Sequence, residues 1–132
     1  MFKSRDPKKL FGKAGEDYSI HTLQAQGYEI VARNFYTPYG EIDIIAIDGN
    51  HLVFIEVKSR TRQTVDETKS SISFRKQQKI TKSALYFVCH YENTNIIEYR
   101  FDVLILQQEQ AGFKVTHLIN AFPPAEVGDF FA

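Results

Sequence analysis

Residues 40–60, GEIDIIAIDGNHLVFIEVKSR, hold two runs rich in Ile and Val with Asp48, Gly49 and Asn50 between them. Few patterns constrain a chain so tightly. β-Branched side chains favour strands, and a Gly-containing pair between two such runs fits a short hairpin turn. The expected strands cover 41–47 and 52–57. Both are strongly apolar beside their charged residues, as IDIIAI and LVFIEVK show. The hairpin should therefore be central in its sheet, with its polar groups partly enclosed.

The flanks supply the other elements. Phe11, Ala14, Tyr18 and Ala25 fall near helical spacing, so 10–26 reads as a first helix, with Gly12 and Gly15 weakening its start and Gly27 ending it. A short strand is expected over 28–35, with a turn at 37–40. Ile80, Ala84, Phe87, Val88 and Tyr91 mark an amphipathic second helix over about 73–91, with Ser73 a plausible N-cap. A second strand pair, 96–106 and 113–119, is joined through Gly112. The order is α-β-β-β-α-β-β, and interspersed helices and strands imply an α/β fold with a mixed β-sheet flanked by helices.

One domain is expected, since 132 residues and 43% hydrophobic content suit one core. Residues 1–9 read as a flexible basic arm, 10–120 as the domain, and 121–132 as a tail rich in aromatics and proline. Phe122, Phe130 and Phe131 of that tail should pack onto a body or partner. The lone Cys89 cannot bridge internally, which suits a reducing, cytoplasmic setting; its place in the second helix suggests packing rather than chemistry. The charged start has no apolar run long enough for a signal sequence, and no later stretch approaches a membrane span.

The net charge of zero hides a gradient. Residues 1–82 hold 14 Lys and Arg against 10 Asp and Glu, whereas 83–132 hold 2 against 6. Phosphate-facing charge should lie in the first part, notably Arg60, Arg62, Arg75, Lys76 and Lys79. A solvated helix face accounts for the helical members of that set equally well.

Within the hairpin, a Gly49-Asn50 loop makes cross-strand partners sum to 99, setting Asp43 opposite Glu56 and Glu41 opposite Lys58. A loop of Asp48 and Gly49 would instead make Glu56 a diagonal neighbour. Facing carboxylates repel unless a proton, base or cation lies between them. A hard divalent cation accepts one or two carboxylates plus water and substrate phosphate, and Lys58 on the same face could orient a water and offset phosphate charge. The rival is an ordinary half-exposed hairpin with salt-bridged charges.

Asp43, then Glu56 and Lys58 as Glu-x-Lys, looks like the motif of the PD-(D/E)xK restriction-endonuclease-like superfamily. More narrowly, GKAGED at 12–17, GYEIVARNF at 27–35, GEIDIIA at 40–46, LVFIEVKSR at 52–60, RKQQK at 75–79, RFDV at 100–103 and INAF at 119–122 resemble the YraN family of small bacterial proteins, related by fold to archaeal Holliday-junction resolvases. The resemblance implies a restriction-endonuclease-like sheet. It also implies a Mg²⁺ or Mn²⁺ site on Asp43 and Glu56, with the Val57 carbonyl and Glu16 as further ligands and Lys58 positioning the attacking water. Gln77 would face the site, and Lys76 and Lys79 would lie near the substrate backbone. DNA, branched or junction DNA in particular, becomes the expected partner, and symmetric cutting would favour a homodimer. Two departures stand out: Ser19 where the family often has Ala, and no Phe-Gly near Val65 and Asp66.

His21, His51, His90 and His117 show no zinc-ligand spacing, and GKAGE is too short for a phosphate-cradling loop. Tyr36, Tyr39 and Phe74 offer stacking surfaces, a weak signal among so many aromatics. Two alternatives to an endonuclease remain: the same fold serving as a catalytically inactive nucleic-acid-binding module, or as a protein-interaction module.

Overall fold

The structure, a computed structural model, describes residues 7–60 and 72–127. Its elements run α1 (Pro7–Ala25), β1 (Glu29–Thr37), β2 (Gly40–Asp48), β3 (His51–Arg60), α2 (Phe74–Val88), β4 (Glu98–Glu109) and β5 (Gly112–Leu118). That is the expected order. Helix α1 begins at Pro7, three residues before the expected start, with proline at a first-turn position where its missing N–H costs nothing. Residues 1–6, Arg62, the loop around Val65 and Asp66, Phe130 and Phe131 lie outside the described residues.

Strand order in the sheet is β1-β2-β3-β4-β5. Neighbours are antiparallel except β3 and β4, which run parallel and need the α2 crossover between them. Strand β3 is the middle strand, and Leu52 to Glu56 are all buried because both sheet faces are covered. On one face α1 supplies Ile20 and Leu23 to a cluster with Ile44, Val53, Ile55 and Leu104. On the other, α2 supplies Ile80, Ala84 and Phe87 against Ile45, Phe54 and Phe101. Among the described residues no helix is long and apolar enough to cross a membrane.

The close seat of α1 depends on Gly15: a Cβ there would lie 2.9 Å from Leu106 Cδ1. Ser19, one turn on, is fully buried and donates its hydroxyl to the Gly15 carbonyl at 2.8 Å, so this buried polar side chain is satisfied. The chain after β5 folds back over α2. Phe122 stacks on Phe101 at 5.2 Å, and the Ala125 amide donates to Thr81 Oγ1 at 3.1 Å. Cys89, expected to pack, is exposed at the C-cap of α2, while its neighbours Val88 and Tyr91 pack against the core.

A second polar cluster fastens the far end of the sheet. Asp102 is fully buried and accepts from Arg100 Nε at 2.9 Å, from the Asn120 amide at 2.9 Å, and shares a 2.7 Å bond with His117 Nε2. Arg100 reaches on to Asp48 Oδ2 at 3.1 Å and Tyr28 Oη at 2.8 Å. Four sequence-distant segments are thereby tied at one point. Burial alone would push the Asp102 carboxyl up, but bonds from His117, Arg100 and Asn120 outweigh it and hold it below the usual carboxylate range.

Candidate active site

The β2–β3 register pairs Asp48 with His51, Ile47 with Leu52, and so on to Ile44 with Ile55. Partners sum to 99, as a Gly49-Asn50 turn requires, and Gly49 adopts φ +62. Beyond Ile44 a side chain takes over: Asp43 Oδ2 accepts the Val57 amide at 2.8 Å. Asp43 also lies where β2 changes face, because Ile42 packs into the α2-side cluster and Ile44 into the α1-side cluster. In the neighbouring strand, Arg33 pairs with Ile44 and Phe35 with Ile42, and Asn34 between them adopts φ +50. A non-glycine residue in that conformation costs about 1 kcal/mol, and Asn is among the residues that tolerate it. Its Nδ2 donates to Glu16 Oε1 at 2.6 Å.

Two clefts open on either side of Asp43 and Glu41. One, about 360 Å³, is lined by both carboxylates, Glu56, Arg75, Lys76 and Lys79. The other, about 240 Å³, is lined by both together with Glu16, Asn34, Val57 and Ser59. The first is basic on its helical wall and acidic on its strand wall. The second gathers carboxylates and the Val57 backbone.

Helix α2 meets the first cleft end-on. Ser73 is its N-cap, accepting the Lys76 amide at 3.1 Å. The first turn holds Arg75 and Lys76 and no acid, opposite to the usual preference for carboxylates at the positive end of a helix. Anions are therefore favoured in front of it. Lys76 satisfies this within the chain, its Nζ standing 2.8 Å from Glu56 Oε1, where Lys58 Nζ also approaches at 3.4 Å. The Thr37–Ser83 hydroxyl contact at 2.8 Å docks the β1–β2 turn on α2 and holds Gly40 close to Lys79.

Burial and the adjacent Glu56 carboxylate push Asp43 up to about 7, against the opposing pull of the Val57 amide. Glu41 is raised by burial and by the charges of Glu16 and Glu56. Lys58 is lowered, first by burial and then by the neighbouring Lys76 ammonium. Lys76 is raised: burial opposes its charge, but the bond to Glu56 prevails. These are the shifts expected where facing carboxylates crowd around a place for positive charge.

The expected set is largely brought together. Asp43 and Glu56 line one cleft and Lys58 approaches Glu56, although the ladder that would set Asp43 opposite Glu56 and Glu41 opposite Lys58 ends at Ile44 and Ile55; Glu16 and Val57 line the adjoining cleft. Lys76 is on Glu56 itself, and Arg75 and Lys79 face the same cleft. Gln77 is turned away, donating to the Ile72 carbonyl at 3.1 Å. Arg60 donates to the Ser59 carbonyl at 2.9 Å at the end of β3. Glu41, weighed only as a strand neighbour, proves to line both clefts; its alternation with Asp43 was the available signal. Asn34 gave no signal in sequence.

For a divalent cation the donor chemistry fits in kind: two enclosed carboxylates, Asp43 and Glu56, and the carbonyl of Val57. Among the described residues no three His, Cys, Asp or Glu side chains converge in a metal-holding arrangement, so the remaining ligands would be water or phosphate.

The model of a family described as "Uncharacterised protein family UPF0102" matches residues 15–106. A UPF0102 protein of Thermodesulfovibrio yellowstonii is 42% identical over 111 residues, covering 84% of this chain and 94% of its own. One from Caldanaerobacter subterraneus subsp. tengcongensis is 38% identical over 120 residues, covering 87% and 96%. A solved structure, "The structure of Pyrococcus Furiosus SfsA in complex with Ca2+", aligns loosely, with 14% identity and a TM-score of 0.38 over 83% of this chain and 62% of that one. Over most of its length, then, this chain is a member of the UPF0102 (YraN) family.

Proposed function

We propose that the protein is a metal-dependent nucleic-acid endonuclease, with the cleft between β2, β3 and α2 as its active site and DNA, branched DNA in particular, as its substrate. The observation that carries this is the placement of Glu56 and Asp43, enclosed and adjacent, beside Lys58 and beneath the basic first turn of α2. A structural ion pair needs one cation per carboxylate and no cleft. This site has an excess of carboxylates on one wall and free reach for phosphate on the other.

Asp43, Glu56 and the Val57 carbonyl would hold Mg²⁺ or Mn²⁺, which supplies charge neutralisation at the phosphoryl oxygens and lowers the pKa of bound water. Arg75 and Lys79 bind the phosphate backbone from the α2 side, giving affinity without sequence choice. Lys58, enclosed and lowered, hydrogen-bonds the attacking water and orients it toward phosphorus. Glu16, tethered by Asn34, completes the acidic wall of the second cleft. Cutting two strands of a junction symmetrically would use a two-fold dimer.

A second reading rests on the same contact seen differently. With Lys76 and Lys58 on Glu56, the carboxylate is already balanced by the chain, as in a nucleic-acid-binding module without cleavage. Incubation of labelled four-way-junction, flap, single-stranded and duplex DNA with Mn²⁺ or EDTA separates the two. Scission that chelator abolishes supports the enzyme, and salt-dependent binding without scission supports the module.

A further inference from the structure

Among the described residues, two lysines approach Glu56, and they differ in their freedom to leave. Lys58 is on the same strand and 17% exposed, so its ammonium is confined beside the carboxylate. Lys76 arrives from α2, is 40% exposed, and makes the shorter contact, 2.8 Å to Glu56 Oε1. Its backbone is pinned, because its amide donates to the N-cap hydroxyl of Ser73, while the residue lines the cleft together with Arg75 and Lys79. The position it holds, third in the first turn, commonly carries Glu or Gln reaching back to the N-cap amide. A lysine there reaches forward to an anion instead.

We propose that Lys76 is the site's own displaceable cation, occupying on Glu56 the place a divalent ion takes, so that metal and nucleic acid bind cooperatively through its release. The inference rests on the metal-site reading above. A divalent ion reaching Glu56 must displace the ammonium, and that displacement costs least when a backbone phosphate is present to receive it. Metal affinity is therefore lower in the free protein than in the nucleic-acid complex, and by linkage metal raises nucleic-acid affinity by the same factor. Premature loading of the carboxylates is discouraged until phosphate lies in the cleft.

Calorimetric titration of the full chain with Mn²⁺, without nucleic acid, tests this in wild type, Lys76→Met and Lys79→Met. Methionine keeps most of the length of the side chain, removes the charge, and leaves the backbone bond to Ser73 intact. Lys79→Met removes a cleft cation that makes no contact with Glu56 and so controls for general charge. Lys76→Met should bind Mn²⁺ about fivefold more tightly than wild type, the equivalent of one half-exposed ion pair, with Lys79→Met within about twofold. Equal or weaker binding by Lys76→Met overturns the proposal and leaves the metal site standing. Equal tightening in both variants also overturns it, since bulk charge would then be the cause. Absence of Mn²⁺ binding in all three removes the metal reading and this inference with it.

Discussion

Asp43 Oδ2 accepts the backbone N–H of Val57 at 2.8 Å, so the carboxylate of one strand replaces a main-chain carbonyl in holding the next. The bond fixes Asp43 beside Glu56 at the point where the ladder between their strands, as paired, has ended at Ile44 and Ile55. Structure and chemistry are thus linked in one side chain, and the link sets what substitutions should do.

Asp43 is raised from 3.8 to about 7, so between those values the folded protein binds more proton than the unfolded chain. Its contribution to stability is complete below about pH 4 and is lost as pH climbs through about 7. Asp43→Asn keeps an acceptor for Val57 and removes the charge. It should unfold at higher urea than wild type at pH 8, by on the order of 2 kcal/mol, with the gap closing toward pH 4. A variant less stable than wild type at both pH values would contradict this.

Asp102 behaves in the opposite sense. Held below 3.8 in the folded state, it contributes stability above that value and loses it as pH falls through its folded pKa. Asp102→Ala removes the buried carboxylate shared by Arg100, His117 and the Asn120 amide and should cost about 3 kcal/mol at pH 7. Chemical denaturation reads the loss directly, and a change under about 1 kcal/mol would mean the cluster is not structural.

Among the described residues, Arg75 and Lys79 line the cleft without a carboxylate partner as close as that of Lys76. The Arg75→Ala, Lys79→Ala double variant should keep wild-type stability while weakening DNA binding uniformly across sequences. The slope of log affinity against log salt should become shallower by about 2, one for each lost phosphate contact. An unchanged slope would move the nucleic-acid interface elsewhere on the molecule.

Asn34 joins the backbone kink of β1 to Glu16. Asn34→Gly and Asn34→Ala both release Glu16, but only alanine strains a backbone at φ +50. Equal reductions in scission are expected, with Asn34→Ala less stable than Asn34→Gly by about 1 kcal/mol. Scission that follows stability rather than release of Glu16 would show that the tether has no part in positioning.

Much of this was legible in the chain because local rules sufficed. A two-residue turn at Gly49-Asn50 fixes the hairpin register as far as Ile44 and Ile55, which brings Asp43 within reach of the strand that carries Glu56. Ser73 was readable as a cap because side-chain capping is short-range. What escaped depended on tertiary placement. Lys76 was assigned to substrate rather than to Glu56, since how far α2 descends onto the sheet is set by Thr37–Ser83 and by packing of Ile80, Ala84 and Phe87. The Arg100–Asp102–His117 cluster needs β4 between β3 and β5, an order that a linear reading does not impose. Cys89 is the C-cap of α2 and exposed, though Val88 and Tyr91 on either side pack on the core, and periodicity does not resolve which side chains of a last turn face outward.

The central claim is that the carboxylate pair is machinery rather than scaffold, and one comparison tests it most directly. Wild type and Asp43→Asn, each checked for cooperative unfolding and DNA affinity, are assayed side by side for Mn²⁺-dependent scission of a labelled four-way junction. Asp43→Asn should stay folded, bind DNA in EDTA within about twofold of wild type, and lose cleavage by at least about a hundredfold. Loss of folding and binding together with cleavage, or full cleavage by the variant, would contradict it.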